Sequence, residues 1–144
     1  MTVRRLIAGK GDFVPVAPPE TPVRDIVDQL EKDDVAAVVI SKDGKAIEGI
    51  VSGRTVASGL RLHGKQVLDR PVSEIMTREV VTCDVGQPLT TIYDLMDRHH
   101  IRHVPITENG QLCGIINMLD VVRYRLSELS AEAEALKDYV SGRA

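Results

Sequence analysis

The sequence predicts an α+β fold: two similar β-α-β-β-α repeats packed sheet to sheet with pseudo-two-fold symmetry, followed by a C-terminal helical extension. Three observations carry this expectation. The chain of 144 residues matches itself at an offset of 66 (Pro22 onto Pro88), which becomes 65 (Gly49 onto Gly114) after a turn where the first copy has one extra residue. Each copy alternates short apolar runs with stretches of helical period, the pattern of a small sheet covered by helices. One copy alone is too small to bury its apolar faces, so two must share the work of forming a core.

In chain order, residues 1–20 hold an apolar pair (Leu6, Ile7), a turn between Gly9 and Gly11, then Phe-Val-Pro-Val and a proline-rich connection. Thr21 is expected to cap a helix with Pro22 at its first position. Val23, Ile26, Val27 and Leu30 then recur at i, i+3, i+4 and i+7, one apolar helix face. The run Ala-Ala-Val-Val-Ile at 36–40 reads as a buried strand, and Lys42-Asp43-Gly44-Lys45 as a turn. Residues 49–52 form a paired strand and 55–62 a second helix that Gly64 ends. In the second copy Val72, Ile75 and Met76 match Val3, Leu6 and Ile7, and Pro88 again opens a helix, with Leu89, Ile92, Tyr93 and Met96 on its apolar face. Residues 101–106 then match 35–40, Asn109-Gly110 matches Asp43-Gly44, and Gly114-Ile115-Ile116-Asn117 matches Gly49-Ile50-Val51-Ser52. The expected division is repeat one at 1–66, repeat two at 67–128 and an extension at 129–144.

The extension has its own period. Leu119, Val122, Leu126, Leu129, Ala133, Leu136 and Val140 alternate spacings of three and four, a heptad pattern. One long helix could lay this stripe on its own core, or the part beyond Leu129 could outrun the domain and pack on another subunit. Ser127 and Ser130 could also divide it in two.

Bulk properties exclude several classes. A net charge of −3 with mixed signs lacks the basic face that nucleic-acid binding needs. Only 3% of residues are aromatic, too few for base-stacking platforms. No apolar run approaches the ~20 residues of a membrane span, and Val-Arg-Arg-Leu-Ile-Ala-Gly lacks a signal-peptide core, so a cytoplasmic protein with no membrane contact is expected. Cys83 and Cys113 form no Cys-x-x-Cys pair. There is no Walker loop, Gly-x-Ser-x-Gly or His-Glu-x-x-His, so no enzymatic activity and no catalytic residues are expected. His99, His100 and His103 lack an obvious fourth ligand, so no metal is expected either.

Residues 99–122 concentrate the polar chemistry: Arg98, Arg102 and three histidines at the start of a strand, and Asp120 at the start of a helix. Strand ends facing helix starts are where α/β layers bind small ligands. By itself Asp120 could equally be a helix cap.

The motifs Val72-x-x-Ile75-Met76-Thr77, Arg102-His103-Val104-Pro105 and Gly114-Ile115-Ile116-x-x-x-Asp120, set in this tandem repeat, resemble a pair of cystathionine-β-synthase-type (CBS) domains, a Bateman module of the stand-alone bacterial kind. The resemblance covers nearly the whole chain. It implies a non-catalytic regulatory module for energy or redox sensing, with no obligatory cofactor. Its ligand would be an adenosine compound (AMP, ADP, ATP, NAD or S-adenosylmethionine) in the cleft between repeats. It also implies a homodimer and an effector protein that the sequence does not name. By resemblance Asp120 would hold the ribose hydroxyls, and Asn117, in place of the usual serine or threonine, would meet phosphate or sugar. The expected site comprises Met76, Thr77, Val81, Thr82, Arg102, His103, Val104, Pro105, Asn117 and Asp120. The first copy keeps Ser52 but has Thr55 where the aspartate would stand, implying a weaker pseudo-site of Val16, Ala37, Val38, Ser52, Arg54 and Thr55. These departures also leave open a degenerate pair that dimerises without nucleotide.

Overall fold

The computed structural model describes residues 1–11 and 13–142. The two copies appear in the expected order. The first is β1 (Val16–Ala17), α2 (Val23–Lys32), β2 (Ala37–Ile40), β3 (Gly49–Ser52) and α3 (Gly53–His63). The second is β4 (Cys83–Asp84), α4 (Leu89–His99), β5 (His103–Glu108), β6 (Gln111–Asn117) and α5 (Met118–Val140). Leu6 and Ile7 belong to a further helix, α1 (Val3–Lys10), which Thr2 caps. Each copy forms a three-stranded sheet in which the first strand runs parallel to the second and the second antiparallel to the third.

Asn109 and Gly110, both at positive φ, make the two-residue turn that joins β5 to β6. The matching β2–β3 connection is longer. There Asp43 accepts the amides of Lys45 and Ala46 at 2.8 and 2.9 Å, which holds its carboxyl below the usual range.

Two apolar clusters form the core. The predicted α2 face supplies Val23 and Ile26 to one, together with Val38, Ile40 and Val51; the α4 face supplies Leu89, Ile92 and Met96 to the other, with Val104, Ile106 and Ile116. Ala37, Val39 and Pro105 point to the opposite sheet faces and are buried too. Burial on both faces is what two sheets packed together require.

The clusters also show an exchange of segments. Val3, with Leu6 and Ile7 around it, packs into the second cluster, while Val72, Ile75 and Met76 pack into the first. Hydrogen bonds repeat the exchange. The amide of Val3 donates to Gln87 O at 3.0 Å and that of Val72 to Thr21 O at 2.7 Å. Leu89 N donates to Met1 O at 3.1 Å and Val23 N to Arg70 O at 2.9 Å. These backbone acceptors correct the capping expectation. α2 starts one residue late, after Pro22, and the Thr21 side chain makes no cap because the Arg70 carbonyl already takes a first-turn amide.

Glycine is required where the exchanged segments cross the third strands. A Cβ on Gly49 would come within 2.5 Å of Met76 Sδ, and one on Gly114 within 2.5 Å of Ile7 Cδ1.

Beyond the sheets, α5 is one unbroken helix of 23 residues through Ser127 and Ser130, and none of its residues is buried. Its stripe therefore does not lie on its own core. No described helix is long and apolar enough to cross a membrane.

Candidate functional site

Two helix starts, those of α3 and α5, are built alike. Ser52 Oγ accepts the Thr55 amide at 3.4 Å while Thr55 Oγ1 accepts the Ser52 amide at 3.2 Å. Asn117 Oδ1 accepts the Asp120 amide at 2.9 Å while Asp120 Oδ2 accepts the Asn117 amide, also at 2.9 Å. Both are capping boxes, with a fourth-residue side chain returning to the cap's own amide. Asn117 is thus the cap of α5, and Asp120, three residues on, completes the box.

Asp120 has a second partner. Lys10, at the end of α1, donates from Nζ to Asp120 Oδ2 at 2.6 Å and to Ile115 O at 2.7 Å. The carboxylate is only 12% exposed, so this ion pair is partly shielded from water. The other oxygen, Oδ1, accepts nothing from the described residues, so the group is half used.

The open space lies at the other helix start. A cleft of about 780 Å³ lies between the repeats. Its first wall is Ser52, Arg54 and Thr55 with the Leu62 and His63 end of α3; its floor is Ile75, Thr77, Glu79, Val80 and Val81; its far wall is His100, Ile101, Arg102 and His103. That volume falls within the range of small-molecule pockets. Apolar side chains and backbone face a rim carrying two guanidinium groups and three imidazoles, with Glu74 and Glu79 as the opposing charges.

The cleft therefore joins residues that the repeat-by-repeat reading had kept apart. Thr77, Val81, Arg102 and His103 from the expected site line it with Ser52, Arg54 and Thr55 from the expected pseudo-site. Asn117 and Asp120 do not line it. Met76, Val104, Ala37 and Val38 are interior residues, Pro105 is buried, Val16 is half-buried in β1, and Thr82 is exposed outside the cleft. The physical reason is the exchange of segments, which sets residues 74–81 against repeat one. Sequence reasoning missed Lys10, His63, His100 and Glu79. The match of α1 with residues 72–76 held the signal for Glu79 and Lys10, since each lies seven residues after its valine (Val72, Val3). Arg98 is an α4 surface residue paired with Asp94 at 2.7 Å.

His103 is the strand residue opposite Asn117 and is half-buried. Burial, then the Arg102 charge, holds its imidazole below the usual value of 6.5. Burial also pushes both thiols up, with Asp84 adding to the effect at Cys83 and Glu108 at Cys113. That suits inert cysteines rather than thiolate nucleophiles. Among the described residues, no cluster of three His, Cys, Asp or Glu side chains is placed to share a metal ion.

The fold is a tandem α+β pair with a polar-rimmed cleft between its halves. The CBS-domain family model matches residues 11–61 and 72–127, and the chain belongs to this family. It is 28% identical over 124 residues to the mitochondrial CBS domain-containing protein CBSX3 of Arabidopsis thaliana, a match over 83% of this chain and 60% of that protein. It is also 28% identical over 116 residues to the CBS domain-containing protein YhcV of Bacillus subtilis, covering 81% of each. A CBS-domain containing protein from Agrobacterium tumefaciens superposes with a TM-score of 0.82 at 30% identity, over 87% of this chain and 99% of that one. The CBS domain pair of protein MJ0100, solved with 5′-methylthioadenosine and S-adenosyl-L-methionine, shares the fold with a TM-score of 0.78 at 19% identity, over 89% and 98%. The chain is thus a CBS-domain pair, a regulatory module.

Proposed function

We propose that this module senses an adenosine-containing ligand without catalysing a reaction, acting as a homodimer on an effector protein in a cytoplasmic setting. The division into repeats at 1–66 and 67–128 with an extension from 129 belongs to the same reading. The observation that carries it is the cleft of about 780 Å³, which brings Ser52, Arg54, Thr55, Thr77, Arg102 and His103 around one cavity between the repeats. Hydroxyls at a helix start suit sugar and phosphate oxygens, and guanidinium groups suit a phosphate or a second anionic group. Ile50, Ile75, Val80, Val81 and Ile101 supply the apolar lining for an adenine ring. The adenosyl compounds bound by the MJ0100 pair make that ligand class the first to try.

At the other helix start, the Asp120 carboxylate is the better acceptor for a ribose diol, and Lys10 competes with a ligand for it through Oδ2. Binding there is thereby linked to the seating of α1, a route for shifting the population between two arrangements. The second reading, a purely structural pair that binds no nucleotide, is favoured by the engagement of Asp120 with both Lys10 and its own helix cap.

Thermal melts against AMP, ATP, NAD and S-adenosylmethionine separate the two readings. A true ligand at a hundredfold excess over its dissociation constant stabilises by about 2.7 kcal/mol. Arg54→Ala should weaken a ligand in the cleft, and Asp120→Ala one at the far helix start. No shift with any of the four overturns the sensor reading in favour of the structural one.

A further inference from the structure

We propose that α5 is a dimerisation helix that pairs with α5 of a second copy as a parallel, in-register two-stranded coiled coil. The proposal rests on the homodimer reading above and names its surface and orientation.

The helix has two faces with different duties. Val121 and Tyr124 pack against the second core cluster, and they sit at heptad positions c and f, opposite the seam. The seam has Leu119, Leu126, Ala133 and Val140 at position a, with Val122, Leu129 and Leu136 at d. The module holds the helix by one side and so leaves this stripe outward. Leu126 is 61% exposed, Leu136 65% and Val140 77%. A continuous apolar row on a helix already seated by its other face marks a surface built for a partner. Strict alternation of three and four matches another helix running alongside, because only the supercoiled pair keeps a 3.5-residue row in contact along its length.

Charge identifies the second helix as another copy and sets its direction. Flanking the seam, Arg125 and Glu132 are the charged g positions, and Arg123, Ser130 and Lys137 are the e positions. Arg125 is turned away, pairing with Glu128 at 3.3 Å on its own helix. Glu132 and Lys137 make no ion pair among the described residues. In a parallel in-register pair, g faces the e′ position five residues later, so Glu132 meets Lys137 of the other copy, twice by symmetry. An antiparallel pair faces e with e′ and g with g′; it sets Glu132 against Arg125, which already pairs on its own helix, and leaves Lys137 facing no anion. The parallel homodimer uses the unpaired charges and leaves none opposed.

The test is the mass of the full chain in solution. Light scattering after gel filtration should give twice 15.8 kDa. Leu126→Glu with Leu136→Glu, both exposed in the single copy, should keep the circular dichroism of the module but raise the dimer dissociation constant about a hundredfold or more. Lys137→Glu should weaken the dimer, and adding Glu132→Lys should restore it. For orientation, Leu129→Cys should cross-link on mild oxidation at its d layer, where the wild type with Cys83 and Cys113 does not. A dimer untouched by the double glutamate variant overturns the α5 interface and leaves the homodimer reading standing. A wild type monomeric at all concentrations overturns both. Cross-linking only between Leu126→Cys and Leu136→Cys chains, never within Leu129→Cys, overturns the parallel direction.

Discussion

At the start of α5, Asp120 completes the Asn117 capping box, and the Lys10 ammonium bridges its carboxylate to Ile115 O. At the equivalent start of α3, Thr55 completes the Ser52 capping box and the backbone amide of Thr77 donates to Ile50 O at 3.0 Å. Ile50 and Ile115 are the same position in the two repeats, so a lysine side chain does on one side what a main-chain amide does on the other. The cause lies in the exchanged segments. α1 stays helical to Lys10, while residues after Val72 leave a short 3₁₀ turn at Glu74 and bridge Ile50 at Thr77. The counterpart of Lys10 is Glu79, which lines the open cleft. Duplication preserved both cores and both capping boxes while one helix start became closed and the other open. Symmetric scaffolding thus tolerates asymmetric chemistry, because the fold needs the caps and not the charges.

Four measurements break or sharpen that comparison, the largest effect first. Ile26 and Ile92 are twins at full burial, so Ile26→Ala and Ile92→Ala should each cost about 2–5 kcal/mol in denaturant melts. A loss confined to one of them would mean the two cores do not carry the fold equally. Next, Gly49→Ala should cost about 1–3 kcal/mol and Gly114→Ala less. Met76 side-chain atoms and the Thr77 carbonyl crowd the first site, whereas only the flexible Ile7 side chain crowds the second. Equal costs would show that the backbone around Thr77 gives as readily as a side chain.

Lys10→Met removes a partly shielded, charge-assisted bond and should cost about 1 kcal/mol. In calorimetry it should also tighten adenosine-ligand binding at the Asp120 helix start, an effect that Asp120→Ala abolishes. Unchanged affinity in Lys10→Met would separate Lys10 from the site. The smallest effect is in pH. Because burial and Arg102 lower the folded value for His103, the unfolded chain binds the proton more readily. Its contribution is fully present above 6.5 and is lost as pH falls below that value. His103→Gln should flatten this acid limb, and an identical limb in the variant would rule the residue out.

Much of this was legible in sequence. The helix faces of α2 and α4, the buried β2, the Asn109-Gly110 turn and the duplication follow from local spacing, which is the same wherever the element docks. The exchange was not legible, since the pattern of Val3, Leu6 and Ile7 shows an apolar face but not which sheet it will meet. The cleft takes Arg102 and His103 without Asp120, although Met118 N donates to Arg102 O and His103 pairs with Asn117. Lys10 was invisible because a lysine's partner depends on the tertiary path of its helix. The Thr21 cap was misplaced by one residue because a carbonyl 49 residues away, on Arg70, reached the helix start first.

The exchange of segments also orders events in time as the chain is made. Val3 is made before the strand it packs on, which ends at Asn117, and the Met1 carbonyl finds its partner only in Leu89. The first repeat meanwhile cannot close until residues 72–77 arrive. The first repeat can therefore close during synthesis, as domains commonly do from the N-terminus, whereas Val3 must wait for the second repeat's strands. An N-terminal clip would injure the half of the protein farthest from it in sequence.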